Sequence, residues 1–214
     1  MAAAKKKTSR KSQKPQSIPF LPVAWQAFIA RRIVDGTGLI LCVSGIFTAL
    51  ALLTYHHADP SWNTAAAQNG FTHNLFGTPG AYVADMLVQT IGFGGLILAL
   101  LPAVWGYKLM KRETISPLLF RIATGVLAAF IMAIAFSRIP SEGTNIMQPY
   151  LGGSIGNMAL NSLSQISTPY LESYNHLIIA LTAGIIASLL CLHACAIKKE
   201  EVIFFGKLVI HGLK

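Results

Sequence analysis

GTGLILCVSGIFTALALLTY, residues 36–55, runs for twenty residues without a charge. At 1.5 Å per residue such a helix is about 30 Å long, the thickness of the hydrocarbon core of a bilayer. A secretory leader has a shorter apolar part, about 7 to 15 residues, followed by a small-residue cleavage site, so this run is expected to stay as a spanning helix. Three more runs pass the same length test, and the expected spans are 33–55, 86–107, 115–137 and 177–197. The third contains Arg121, whose guanidinium is expected to snorkel to headgroups within about two turns of the cytoplasmic surface. The expected fold class is therefore an all-α membrane protein with four transmembrane helices. Composition agrees, with 53% hydrophobic and only 12% charged residues and a mean hydropathy of +0.55.

A formal net charge of +9 could suggest a nucleic-acid binder, but the basic residues are gathered in blocks beside the spans. Eight lie in residues 1–32, a segment without an acid and poor in large apolar side chains from 2 to 17, which is read as a disordered basic cytoplasmic tail. Four more are Lys108, Lys111, Arg112 and Arg121, and another four are Lys198, Lys199, Lys207 and Lys214. Only Arg138 falls in the other two connections, His56 to Asp85 and Arg138 to His176. Cytoplasmic flanks carry the Lys and Arg excess, so both ends are expected in the cytoplasm, N-in and C-in. The domain plan is thus a tail over 1–32, a four-helix membrane domain over 33–197, and a cytoplasmic interfacial segment over 198–214 that joins Phe204, Phe205 and Ile210 to lysines.

Small residues four apart, Gly45 and Ala49, Gly125, Ala129 and Ala133, and Ala180, Gly184 and Ser188, offer faces where helix backbones can approach. Pro102 deprives the Leu98 carbonyl of its helical donor, and a kink is expected there, one to two turns after the glycines at 92, 94 and 95. In the second outer loop, Ser154, Asn157, Asn161, Ser164 and Gln165 share one helical face and Ile155, Met158, Ala159, Leu163 and Ile166 the opposite one. A short amphipathic helix is expected there, begun after Gly152-Gly153, ended before Pro169, and lying on the outer mouth of the bundle.

Motifs for chemistry are missing. The chain has no phosphate-binding Gly-rich loop followed by Lys and Ser or Thr, no Gly-x-Ser-x-Gly, no His-Glu-x-x-His and no Cys-x-x-Cys. Cys42, Cys191 and Cys195 all lie in apolar runs and read as packing residues, since His193 falls on another face from Cys191 and Cys195. His56, His57, His73 and His176 gather towards the outer surface; a pH-sensitive or zinc-binding mouth is one reading, solvated interfacial histidines the one preferred. Asp85 stands in the second turn of its helix if that helix begins at Pro79 or Gly80. It is either a carboxylate on an ion route or a hydrogen-bonded anchor for the outer end of the bundle, and a lone intramembrane acid favours the anchor. No catalytic, cofactor-binding or metal-binding residue and no cofactor is expected.

Two runs carry a family resemblance. Ala58-Asp59-Pro60-Ser61-Trp62-Asn63 and Asn74-Leu75-Phe76-Gly77-Thr78-Pro79-Gly80-Ala81-Tyr82-Val83-Ala84-Asp85 resemble the first outer loop of FtsK/SpoIIIE-type DNA translocases. Gly152-Gly153-Ser154-Ile155-Gly156 ahead of a short outer helix resembles the second. The resemblance covers residues 31–200 and implies the N-terminal membrane domain of that family, which anchors a division protein in the bacterial inner membrane at the septum. By the same resemblance the domain links septum assembly to chromosome segregation. It implies the lipid bilayer and division-machinery proteins as partners, assembly with other copies of the chain, and DNA only through a C-terminal ATPase motor that these 214 residues do not include. Asp59, Pro60, Ser61, Trp62, Asn74, Gly77, Gly80, Ala81, Asp85, Gly152, Gly153 and Gly156 are the candidate structural and interaction motif. Asp59 before Pro60 suits a turn start, Ser61 a cap, Trp62 the headgroup belt, and Gly77 and Gly80 close backbone approach. The alternative is a small four-helix transporter or channel subunit, which would need several polar groups at mid-bilayer depth.

Overall fold

The computed structural model describes residues 22–62, 71–142, 146, 149–171, 175–197 and 201. Most of the basic tail and nearly all of the interfacial segment fall outside the described residues. Two compact units are present, Met1–Ile33 and Val34–Lys214. Within the first, the Arg32 guanidinium lies 5.1 Å from the centre of the Phe28 ring.

The described residues are all-helical apart from one isolated bridge between Pro140 and Tyr150. In chain order the helices are α1 (Val23–Leu53), α2 (Gly77–Ile91), α3 (Gly95–Met110), α4 (Leu118–Phe136), α5 (Gly153–Leu171) and α6 (Asn175–Ala194), with a 3-10 turn at Gly92–Gly94 joining α2 to α3. Four helical segments are long and apolar enough to cross a membrane: Ala24–Leu53, the combined Gly77–Met110, Leu118–Phe136 and Asn175–Ala194. Their outward faces are apolar, as lipid requires, with Ile40, Leu119 and Ile185 each more than three-fifths exposed.

Helical bounds differ from the hydropathy windows where charge or turn residues hide a helix. α1 begins ten residues before Ile33, because Arg31 and Arg32 are good helix formers that a hydropathy window rejects. The second membrane segment begins at Gly77 rather than Met86, so Asp85 stands in the third turn of α2. Pro102 lies inside unbroken α3, and the interruption falls at Gly92–Gly94 instead. α5 continues through Pro169 to Leu171. The side it turns to the bundle is Gly156, Leu160 and Ser164, while Met158 and Ile166 are exposed.

Helices meet where small residues let backbones touch. A Cβ on Gly45 would lie 2.6 Å from both the Ala103 nitrogen and the Ala99 carbonyl oxygen, and Cys42 Sγ donates to the Ala103 carbonyl at 3.3 Å. Ala129 and Ala133 are fully buried against Gly94, and with Ile91, Ile97, Leu101 and Ala194 they form the core. In lipid such contacts hold by packing, since there is no hydrophobic drive between helices.

The two ends of the bundle are closed differently. At the end where α3 stops and α4 begins, α3 and α4 converge on the last turn of α6. Trp105 Nε1 donates to the Ala194 carbonyl at 2.9 Å, Lys108 Nζ to the Ala196 carbonyl at 3.0 Å, and Arg121 Nη1 to the His193 carbonyl. These donors add side-chain partners to carbonyls at and just past the end of α6, where a helix leaves acceptors over, the His193 carbonyl also accepting from the Ala196 N–H at 3.1 Å, and two of them place positive charge at its negative pole. Lys108 is 4% exposed and also reaches Glu113 at 3.4 Å and Glu201 at 3.1 Å.

Candidate functional site

At the other end, where α1 stops and α2 begins, the connecting loop is built on two buried polar side chains. Asp59, 4% exposed, accepts through Oδ1 from the His73 backbone N–H at 2.7 Å and through Oδ2 from the Asn74 N–H at 2.9 Å; His73 Nδ1 lies 2.9 Å from Oδ1. Asn74, 3% exposed, donates through Nδ2 to the Ala51 carbonyl at 2.8 Å, so it caps the C-terminal turn of α1. Its Oδ1 accepts from the Phe76 N–H at 3.2 Å, the side-chain turn that asparagine favours, and α2 starts at the next residue. Gly80 has to be glycine here, because a Cβ would fall 2.1 Å from Asn74 Oδ1. Asp59 to Asn74 to Ala51 is one chain of bonds tying both sides of the loop to α1.

A second cluster ties α2 to the same loop. Asp85, 5% exposed, accepts at Oδ1 from Tyr55 Oη at 3.2 Å and from Gln89 Nε2 at 2.7 Å. Burial, reinforced by the adjacent carboxylate, pushes the Tyr55 phenol well above its usual range and keeps it a donor. Ser61 and Ala81 are buried and Pro60 is half-buried. Trp62 is 78% exposed and meets Tyr82 edge to face, centroids 5.3 Å apart.

The second glycine motif makes the third junction. Phe93 N–H donates to the Leu151 carbonyl at 2.9 Å, and Ser154 Oγ donates to the Gln89 carbonyl at 2.7 Å. Gly92 and Gly153 face each other with φ of +58° and +68°, a region that costs other residues about 1–2 kcal/mol. Gly152 and Gly156 press on the last turn of α4 at Ala133 and Ser137. Thus Gly152, Gly153 and Gly156 seat α5, whereas Asp59, Asn74, Gly80 and Asp85 order the first loop, in a separate cluster. Gly77, at φ +62°, opens α2 with space around it.

Among the described residues, His56, Asp59 and His73 are the group that could hold a metal ion, their ligand atoms lying within 4.8 Å of one another. The donors are already engaged: Asp59 serves two backbone N–H groups, and His56 Nδ1 accepts from the Ala58 N–H at 3.2 Å. The rings are stacked, His56 on His73 at 4.2 Å and on His57 at 4.9 Å, which suits a loop staple better than convergent ligation. His176 stands apart, in a cleft between α4 and α5.

Desolvation, then the adjacent His73 and His57, lower the pKa of His56 from its ordinary 6.5. The unfolded chain then takes up this proton more readily than the folded one, so stability is full above about pH 6.5 and falls as pH drops below it. Protonation would also break the bond to Ala58. His56→Gln is expected to flatten the dependence of the melting temperature on pH between about 7.5 and about 5.5, measured by circular dichroism in detergent. An equal slope in parent and variant would contradict this.

Sequence reasoning missed Lys108, Trp105 and Tyr55. Lys108 was counted only as a flanking charge, and no local pattern marks a lysine that folds back onto a helix terminus 88 residues later.

The comparisons with known proteins agree on one family. The family model described as the 4TM region of DNA translocase FtsK/SpoIIIE matches residues 30–198. The chain is 29% identical over 200 residues to the DNA translocase FtsK of Azospirillum brasilense, covering 94% of this chain and 31% of that protein. It is 30% identical over 150 residues to that of Bradyrhizobium diazoefficiens, covering 70% and 18%. With that of Mesorhizobium japonicum it shares 35% over 142 residues, covering 63% and 15%. The chain thus spans less than a third of the length of these relatives. No solved structure matches. With the family model covering most of the chain and four apolar helices in the fold, this multi-pass membrane protein belongs to the FtsK/SpoIIIE family of DNA translocases as its four-helix membrane region.

Proposed function

We propose that these residues form the membrane anchor and protein-docking region of a cell division protein that links septum assembly to chromosome segregation. The observation that carries this reading is the loop between α1 and α2. Buried Asp59 and Asn74 tie its two described flanks, residues 54–62 and 71–76, to each other and to α1, and these flanks present Trp62, Phe71 and Leu75, 78%, 80% and 62% exposed. Ordered apolar side chains outside the lipid-facing helices suit a docking surface for division-machinery proteins or other copies of the chain, because little entropy is lost when a partner binds them. The Lys and Arg count supports placing this loop outside the cytoplasm and both termini within it. DNA is handled, on this reading, by the remainder of the protein, as the name of the relatives suggests. The occupied Asp85 carboxylate supports an anchoring rather than an ion-carrying role.

The test is septal recruitment of a fluorescent fusion of the whole gene product expressed at native level. Trp62→Ala is expected to lower the septal signal at least about threefold with unchanged membrane content, the loss of one exposed aromatic anchor. Undiminished recruitment would remove the docking role, and a reporter inserted at Asn69 that faced the cytosol would reverse the orientation.

A further inference from the structure

Two cavities meet at Arg138. One is a cleft of about 530 Å³ among α4, α5 and α6, at the end of the bundle that carries the α1–α2 loop, with Tyr150, Asn157, Asn161 and His176 in its walls. The other is an apolar groove of about 580 Å³ that follows α4 and α6, from Leu177 past Ala135 and Gly184 to Leu189. Arg138 and Leu177 line both. A polar chamber that opens through one guanidinium into a long apolar groove has the shape of an amphiphile. From Leu177 to Leu189 α6 rises about 18 Å, roughly the depth of one leaflet of a core about 30 Å thick.

We infer that this composite site binds a glycerophospholipid with a hydroxyl-bearing headgroup, its phosphate on Arg138, its headgroup in the cleft and one acyl chain in the groove. Three observations specify the ligand. Arg138 is exposed, and among the described residues its guanidinium has no acidic partner, so it is open to a phosphate, the anion that a guanidinium pairs with best. Its backbone N–H instead closes the last turn of α4 on the Ala135 carbonyl. Other carbonyls of that turn are covered as well, Ala133 by Ser137 Oγ and Phe136 by the Ile139 N–H, which removes most of the repulsion a helix C-terminus exerts on an anion.

The second observation is Asn157 Oδ1, a buried atom without a hydrogen-bond partner among the described residues, in the wall of the same cleft. A buried acceptor left unpaired is destabilising, and a phosphate diester offers it no proton at neutral pH. A headgroup hydroxyl does. The third is the first turn of α6, whose His176 and Leu177 line the cleft and whose backbone N–H groups favour a nearby phosphate. A second copy of the chain could lay a helix along Ala180 and Gly184, but it would leave both Arg138 and Asn157 Oδ1 without the groups they need.

The test titrates the purified chain in neutral detergent with phosphatidylglycerol and with phosphatidylcholine of the same acyl chains, bound lipid being read by native mass spectrometry. Phosphatidylglycerol is expected to bind about five- to tenfold more tightly, the value of one hydrogen bond to a buried acceptor. Asn157→Leu is expected to bring the two lipids to equal affinity. Arg138→Gln is expected to weaken both, Arg138→Lys to retain most binding, and Lys111→Gln, at the opposite end of the bundle, to change nothing. Helical content by circular dichroism shows that each variant is folded; should Arg138→Gln fail to fold, Asn157→Leu and Arg138→Lys still decide the matter. Equal binding of the two lipids by the parent, binding unchanged in Asn157→Leu, or a lipid-free dimer that blocks binding along α6 would overturn the assignment.

Discussion

Gly92→Ala is expected to destabilise the chain by about 3 kcal/mol or more, the sum of a left-handed backbone penalty and an overpacked contact. The backbone at Gly92 has φ of +58°, and a Cβ there would lie 1.9 Å from the Leu151 carbonyl oxygen and 2.6 Å from the Gly153 nitrogen. Every atom in the way is main chain, so no side chain can swing aside. Backing off would break the Phe93 to Leu151 hydrogen bond, which holds the joint between α2 and α3 to the start of α5. Gly77→Ala is the control: φ is +62° but no atom of the described residues lies within 4 Å, so only the backbone penalty of about 1–2 kcal/mol should appear. The measurement is the unfolding midpoint in detergent with increasing dodecyl sulfate. Equal midpoints for the two variants would show that the Gly92 to Leu151 approach is not a constraint.

Asp59→Ala should cost about as much by a different route. Two backbone donors, the part-buried His73 N–H and the buried Asn74 N–H, lose a charged acceptor that is itself 4% exposed, at about 1–3 kcal/mol for the buried one and less for the other. The damage should spread, because Asn74 keeps its grip on the Ala51 carbonyl only while its own backbone is held. Protease cleavage between His56 and Phe76 is expected to accelerate at least about tenfold, as local opening becomes easier. Asp59→Asn, which retains one acceptor oxygen, should fall between the two. Unaltered protection in Asp59→Ala would mean that the loop is ordered by something other than this carboxylate.

The four spans could be read from the sequence because lipid imposes one rule on all of them: the backbone must satisfy its own hydrogen bonds, and the side chains facing out must be apolar. Their ends could not, because other forces set them. The stretch Gly77-Thr78-Pro79-Gly80 looks like a turn by composition, yet it is the first turn of α2, with Gly80 required by the approach of Asn74 and Gly77 by its positive φ. Pro102 looks like a kink by local chemistry, yet the break moved ten residues to Gly92, where Leu151 and Gly153 dock from far along the chain.

The candidate motif was legible as a set of loop residues but not as a set of bonds. Asp59 and Asn74 stand out as turn formers in any reading. That Asp59 would receive the backbone of residues 73 and 74, and that Asp85 would pair with Tyr55 and Gln89, depends on distances that only the folded chain defines. Arg138 illustrates the limit best. In the sequence it is the one basic residue on the wrong side of a charge count; in the fold it stands at the junction of two cavities.

The three donors gathered at and just past the end of α6 have a mechanical corollary. A tension applied to the chain beyond Ile197 reaches α6 at the carbonyls that Trp105, Lys108 and Arg121 hold. The load is therefore divided at once between α3 and α4 instead of being drawn through a single rod, and extracting α6 would mean rupturing several bonds together, two of them to cations.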